Sequence, residues 1–210
     1  MRFTSHRDFS RAFERAVFRA RLPMAYSSGF NPHPRISYAG AAPTGSASEA
    51  EFLEIALAQV VVPDDVAREL AEAMPAGLDV LQVVEAAPGS LADRLEASRW
   101  RIDLPVAVDR VTPAVEQFLA EEQVEVQRMT KKGLRTFDCR AAVVSLTIES
   151  ADAGSRLALV LRHGTPSVRP DDVLTALAAR ADAEVGERAL LTRLAQGPLA
   201  PDGTVGDPLS

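Results

Sequence analysis

Residues 27–35 read Ser-Ser-Gly-Phe-Asn-Pro-His-Pro-Arg, a run that gathers side chains able to hold a nucleotide or move a proton. Pro32 and Pro34 fix their own φ and push Asn31 and His33 towards extended backbone, so the amide and the imidazole are aimed rather than free. Gly29 permits a positive φ or a close ligand, Phe30 offers a stacking face, Asn31 carries both donor and acceptor, and Arg35 adds a cation. That set suits a nucleobase with its phosphate. A rigid connector in which Phe30 plugs its own fold would use the same residues for packing alone.

The other histidine of the first half, His6, lies among Ser5, Arg7 and Asp8, and arginines follow at 11, 15 and 19. At i, i+4 spacing the four guanidinium groups advance about 40° per step and wind across one broad helix face, with Phe18 near its middle. Guanidinium forks match phosphate oxygens, and an aromatic ring supports a base. The alternative is a solvated face paired with acids elsewhere, because Glu14 is the one acid within the helix available to neutralise the stripe.

Ser5, His6 and Asp8 cannot present a relay geometry within one tetrapeptide, and helix capping accounts for Ser5 and Asp8. His6 falls in the first turn, where unpaired N–H groups favour anions. If the fold brings His33 to His6, either Asp8 or Glu51 would complete a two-histidine, one-carboxylate metal site, or the two imidazoles would serve as acid and base on a phosphodiester. The catalytic candidates are therefore His6, Asp8 and His33. The binding candidates are Arg7, Arg11, Arg15, Arg19, Gly29, Phe30, Asn31, His33 and Arg35, and no metal site is assigned.

Composition narrows the classes. The 210 residues are 47% hydrophobic and 25% charged with mean hydropathy near zero, which is the profile of a globular protein. No apolar run approaches the roughly 20 residues of a membrane span, and Met1–Asp8 lacks the apolar core of a secretion signal, so a cytoplasmic location is expected. The single cysteine, Cys139, excludes an intramolecular disulfide and cannot alone hold an iron–sulfur cluster or a structural zinc; its apolar surroundings at 137–148 suggest a buried strand thiol. In residues 1–48 seven arginines face only Asp8 and Glu14, a local charge of +5, leaving −11 on the remainder of a chain whose net charge is −6. Such asymmetry points to a polyanionic or acidic partner for the first 48 residues. There is no phosphate-binding Walker loop, no dinucleotide-binding glycine pattern and no paired CxxC.

The elements that must position these groups are α+β. Phe9, Ala12, Phe13, Ala16, Val17 and Ala20 share one side of a helix over 7–21, stopped by Leu22-Pro23. Strands are expected at 24–27, 35–39, 51–58 and 78–86, with a helix opened by Pro63-Asp64-Asp65-Val66. The second half follows the same order, with strands at 99–104, 124–129, 137–148 and 156–161, a helix from Thr112-Pro113, a Lys131-Lys132-Gly133 turn, and a last helix opened by Pro170-Asp171-Asp172-Val173. The two Pro-Asp-Asp-Val runs lie 107 residues apart, so two ferredoxin-like split βαβ halves arising from an internal repeat are expected: 1–86 and 96–196, followed by a disordered tail over 197–210. Shifted back by 107 residues, the strand at 99–104 falls before Met1. The first half then lacks its first strand, because the chain starts upstream or because Met1–Thr4 is a remnant strand.

From Phe3-Thr4-Ser5-His6 through Asp8, Arg11, Glu14-Arg15-Ala16 and Leu22-Pro23, then Ala25-Tyr26-Ser27, Gly29-Phe30-Asn31-Pro32-His33-Pro34 and Ser37, the chain resembles the radical-SAM-linked proteins of bacteria. The specific part spans residues 3–55. The resemblance implies a separate radical-SAM protein as partner, and this chain lacks the CxxxCxxC such a protein needs, so the iron–sulfur cluster and S-adenosylmethionine would belong to that partner. The function expected is an accessory RNA-binding or substrate-presenting module acting with that enzyme in RNA modification or processing, with tRNA or rRNA as the nucleic acid. The alternatives are a stand-alone metal- or histidine-dependent enzyme on a phosphate-containing substrate, or a protein-interaction adaptor whose basic helix meets an acidic surface.

Overall fold

The computed structural model describes residues 6–130, 133–181 and 185–210 and is of mixed α+β class. It divides into two compact units, the first built from 1–45, 51–93 and 209–210, the second from 46–50 and 94–208.

In the first unit, helix α1 (His6–Arg19) buries Phe13, Ala16 and Val17, the stripe that the 3.6-residue period demands. It closes on a left-handed residue that is not glycine. Arg21 has φ 53°, its N–H donates to the Phe18 carbonyl at 3.2 Å, and the Leu22 N–H donates to the Val17 carbonyl at 3.4 Å. This is a Schellman closure, and Leu22 and Val17 are both buried beside it. Strand β1 (Ile36–Ala39) pairs antiparallel with a strand at Phe52–Ile55, Ile36 opposite Ile55. Helix α2 (Pro63–Ala73) starts on the expected proline, carries Asp64 and Asp65 in its first turn, and packs against α1. Phe13, Val17, Leu22, Met24, Val66 and Leu70 form the core of this unit.

The second unit takes the two-residue strand β2 (Ala47–Ser48); the partner of β1 in the first unit is accordingly β3. A short helix α3 (Leu91–Arg94) covers the change of unit in sequence. There follow β4 (Ala97–Leu104), α4 (Val108–Ala120), a hairpin of β5 (Glu125–Thr130) and β6 (Gly133–Asp138), β7 (Val143–Ala151), β8 (Gly154–Arg162), α5 (Pro170–Ala178) and β9 (Leu190–Gly197). Five strands form one sheet in the order β2-β9-β4-β8-β7, antiparallel except for β2 against β9. Helix α4 packs on β7 and β8, α5 packs on α4 and β5, and Phe118, Ile102, Leu157, Leu159, Leu161 and Leu177 fill the core without solvent access.

Several elements differ from the sequence expectation for local reasons. Matching halves were expected, whereas among the described residues the first unit holds a two-stranded sheet and the second the five-stranded one. Residues 24–27 are tied by single bridges, Met24 to Leu57 and Tyr26 to Pro34, and 78–86 forms no strand. The apolar run 137–148 is cut in two because the Asp138 carboxylate accepts the N–H groups of Val124 and Arg140 at 3.0 and 2.9 Å and turns the chain through Arg140–Ala142. Residues 197–210 are not a disordered tail. Their glycines and prolines serve a hairpin in which Gly206 N–H donates to the Pro198 carbonyl at 2.9 Å, and a Cβ on Gly197 would stand 2.1 Å from the Gly206 oxygen. The expectations for Met1–Ser5, including the Ser5 cap and the remnant strand, and for Lys131-Lys132 lie outside the described residues.

Candidate functional site

Both motifs of the N-terminal segment fall in the first unit. The loop is closed by a reciprocal pair: Ser27 N–H donates to the His33 carbonyl at 2.9 Å, and His33 N–H donates to Ser27 Oγ at 3.1 Å. Below it the stem is tied by the Tyr26–Pro34 bridge and by Arg35 N–H to the Ala25 carbonyl at 2.9 Å, while the Arg35 carbonyl accepts from Ala56 N–H at 2.9 Å. Pro34 therefore sits on a short ladder that continues into β1 and β3, Pro32 lies within the loop, and the tip is held at its base. At the tip Phe30 is fully exposed and Asn31 is exposed with it, as are the side chains of His33 at the closure and Arg35 in the stem. Phe30 does not plug the fold, so the packing alternative for this loop fails. Gly29 has φ 128° with no atom within 4 Å of an added Cβ; it is required by the backbone bend, not by space.

Helix α1 presents Arg7, Arg11, Arg15 and Arg19 to solvent, and Phe18 is exposed among them. Among the described residues Arg7, Arg11, Arg15 and Arg35 form no ion pair. Arg19 is held differently: its Nη2 donates to the carbonyl of Ala73, the last residue of α2, where a cation also meets the negative end of the helix dipole. Between α1 and the start of the segment after α2 runs an open groove of about 420 Å³, lined by Ala12, Arg15, Phe18, Arg19 and Pro75.

His6 meets neither His33 nor a carboxylate in a ligand set: among the described residues no three His, Cys, Asp or Glu side chains gather as metal ligands. Its ring instead packs edge-on against Tyr38 of β1, centroids 5.0 Å apart, in a cluster completed by Phe9 and Phe13. Ser10 Oγ donates to the His6 carbonyl at 2.9 Å, and the Tyr38 hydroxyl reaches the Ser10 carbonyl at 3.5 Å. Burial raises the Tyr38 pKa above its usual value, with the Ser10 side-chain hydroxyl pulling it down and the Glu14 charge adding to the rise. Tyr38 thus fastens the start of α1 to the strand leaving the loop, a role its sequence position did not suggest beyond the alternation of Ile36-Ser37-Tyr38-Ala39. No helix among the described residues is long and apolar enough to cross a membrane.

Compared with known families, residues 1–170 match the model of one described as "Uncharacterized protein conserved in bacteria (DUF2344)". No curated protein matches the chain.

Proposed function

The chain belongs to this family of uncharacterised proteins conserved in bacteria, and we propose that it is an accessory RNA-binding or substrate-presenting module that grips RNA through its first unit. The observation that carries this is the coincidence on one unit of exposed arginines lacking any described carboxylate partner with two exposed phenylalanines, Phe18 and Phe30. Arginines supply sequence-independent attraction to phosphate, and solvent-facing rings supply stacking for bases. An acidic protein surface would need the charge but not the rings.

A separate radical-SAM enzyme is the partner we propose, on the resemblance of residues 3–55. The cluster and S-adenosylmethionine would be that enzyme's. This chain has one cysteine, fully buried, with its thiol pushed up to about 12 by burial and by Asp172 and Asp138. The element order β4-α4-β7-β8-α5-β9, with strand order β9-β4-β8-β7, supports a ferredoxin-like reading of the second unit. By fold analogy, RNA-handling proteins use that architecture often.

Affinity for a fluorescein-labelled single-stranded RNA, measured against salt, tests the assignment. Each phosphate neutralised contributes about 0.7 to the slope of log affinity on log salt, so Arg11→Ala/Arg15→Ala should lower the slope by about 1.4. Equal slopes, or no measurable binding at low salt, would remove RNA from the proposal. Co-purification with a radical-SAM protein from the native cells tests the partner separately.

A further inference from the structure

The groove of Ala12, Arg15, Phe18, Arg19 and Pro75 holds a combination not used by the loop: an exposed ring, an apolar wall and two guanidinium groups of unequal freedom. Arg19 is fixed through the Ala73 carbonyl, whereas Arg15 has no described ion-pair partner. Its volume of about 420 Å³ is within the range of small-ligand sites.

We infer that this groove is the subsite for one unpaired nucleotide, its base stacked on Phe18 and its phosphate held by Arg15, so that the RNA recognised is a single-stranded or looped segment and not a continuous duplex. The inference rests on the RNA-binding proposal above and makes it specific. A base inside an A-form helix has both faces covered by its neighbours, and duplex RNA is gripped by shape and by contacts to phosphate and 2′-hydroxyl groups across its shallow groove. An exposed phenylalanine adds nothing there. For an unstacked base the same ring is a ready platform, and a guanidinium lining the same groove can take up a backbone phosphate. Preorganisation favours the site as well. Arg19 is anchored at a helix C-terminus, and Phe18, with Arg15 one turn before it, sits in the last turn of α1, which the Arg21–Leu22 closure holds in helical form.

The occupant follows from charge and shape together. Residues 1–48 carry a net +5, which suits a polyanion, and Pro75 and Ala12 add apolar lining to the open groove. An acidic peptide would satisfy Arg15 but leave Phe18 with no planar partner.

The test uses the full chain and a 12-nucleotide RNA carrying one 2-aminopurine, single-stranded or annealed to its complement. The expected result is tighter binding of the single strand, with 2-aminopurine emission quenched on binding as the base stacks. Phe18→Leu keeps an apolar side chain on an exposed position and should lose about tenfold in affinity together with the quench, whereas Phe18→Trp should retain both. Binding that is equal for single strand and duplex, or unchanged in Phe18→Leu, overturns the subsite while leaving RNA binding by the arginines standing. Absence of binding to either RNA overturns the subsite and the RNA assignment together.

Discussion

Two groups of arginines, one on α1 in the first unit and one in the interior of the second, are placed in opposite surroundings. In the second unit Arg128 and Arg180 have their anions and rings supplied from within: Arg128 meets Asp172 and lies 4.8 Å over Phe137, while Arg180 holds both oxygens of Glu121 at 2.8 and 2.6 Å and lies 6.0 Å from Phe118. Arg193, buried, lies 5.7 Å over Trp100 and donates to Ser48 and Gln196. In the first unit Arg7, Arg11 and Arg15 are exposed on the helix that also exposes Phe18, with no described ion pair. The set of guanidinium, ring and anion is complete at Arg128 and Arg180, whereas Arg15 and the exposed Phe18 of α1 have no described anion with them. A ligand that brings phosphate and a planar ring would complete the set there, which is why the arginines of α1 are proposed to bind, whereas Arg128 and Arg180 are expected to act in stability.

The sharpest way to break that contrast is to truncate one arginine of each kind. Arg128→Ala leaves Asp172, 6% exposed, without its cation, and should cost about 3 kcal/mol in unfolding free energy. Arg11→Ala and Arg15→Ala should each stay within about 0.5 kcal/mol. Urea unfolding followed by fluorescence reads the first effect directly, because the single tryptophan, Trp100, lies in the second unit's core. Circular dichroism at 222 nm follows the α1 variants. A costly Arg11 or Arg15, or a neutral Arg128, would dissolve the distinction.

A smaller effect separates side-chain employment from backbone cost. Arg21 and Arg188, one in each unit, are the described non-glycine residues with positive φ, 53° and 56°. A left-handed conformation costs a residue with a Cβ about 1 kcal/mol, and glycine relieves it. Both Arg21→Gly and Arg188→Gly should therefore gain about 1 kcal/mol despite the different surroundings, read as a rise in thermal midpoint. A loss at either site would show that the arginine side chain there is held by contacts worth more than the strain.

How much of this could be read from the chain follows the range of the interactions concerned. Helix α1, its arginine stripe and the proline-bracketed loop rest on local periodicity and local stereochemistry, and they were legible to within a residue or two. Whether Phe30 faced inwards and whether the stripe found acids depended on distant residues, and only the fold decides such questions. Strand β9 was missed because Arg193 and Gln196, 3% and 1% exposed, interrupt its apolar pattern; their burial depends on Ser48 and Ala50, roughly 145 residues away in sequence. The tail was misread for a related reason. Glycine-rich composition signals freedom unless a neighbouring strand needs the missing Cβ, as Gly197 does against Gly206.

The histidines divide between the units as the arginines do, and this sets the last and smallest expected effect. His6 and His33 stand exposed in the first unit, whereas His163 is half-buried in the second. Its Nδ1 lies 2.6 Å from the Leu95 carbonyl, which only accepts, so Nδ1 carries the proton; Nε2 then accepts from Ser98 Oγ at 2.9 Å, and Ser98 accepts in turn from Trp100 Nε1 at 2.8 Å. A second proton would oppose the Ser98 hydroxyl and approach Arg193. Burial lowers the His163 pKa below its usual 6.5, the Leu95 carbonyl pulls it up, and the Arg193 charge lowers it further. The unfolded chain then binds more protons than the folded one between about 6.5 and the lowered value, so stability rises with pH in that window. The contribution is fully present above about 6.5 and is lost as pH falls through the folded pKa. The Trp100-reported urea midpoint of the native chain should drop relative to that of His163→Gln as pH is lowered from 7.5 to 5, since glutamine has no proton to take up. A relative rise on acidification would mean that the folded state welcomes the charged ring, and that the second unit, like the first, holds a cation in need of an anion.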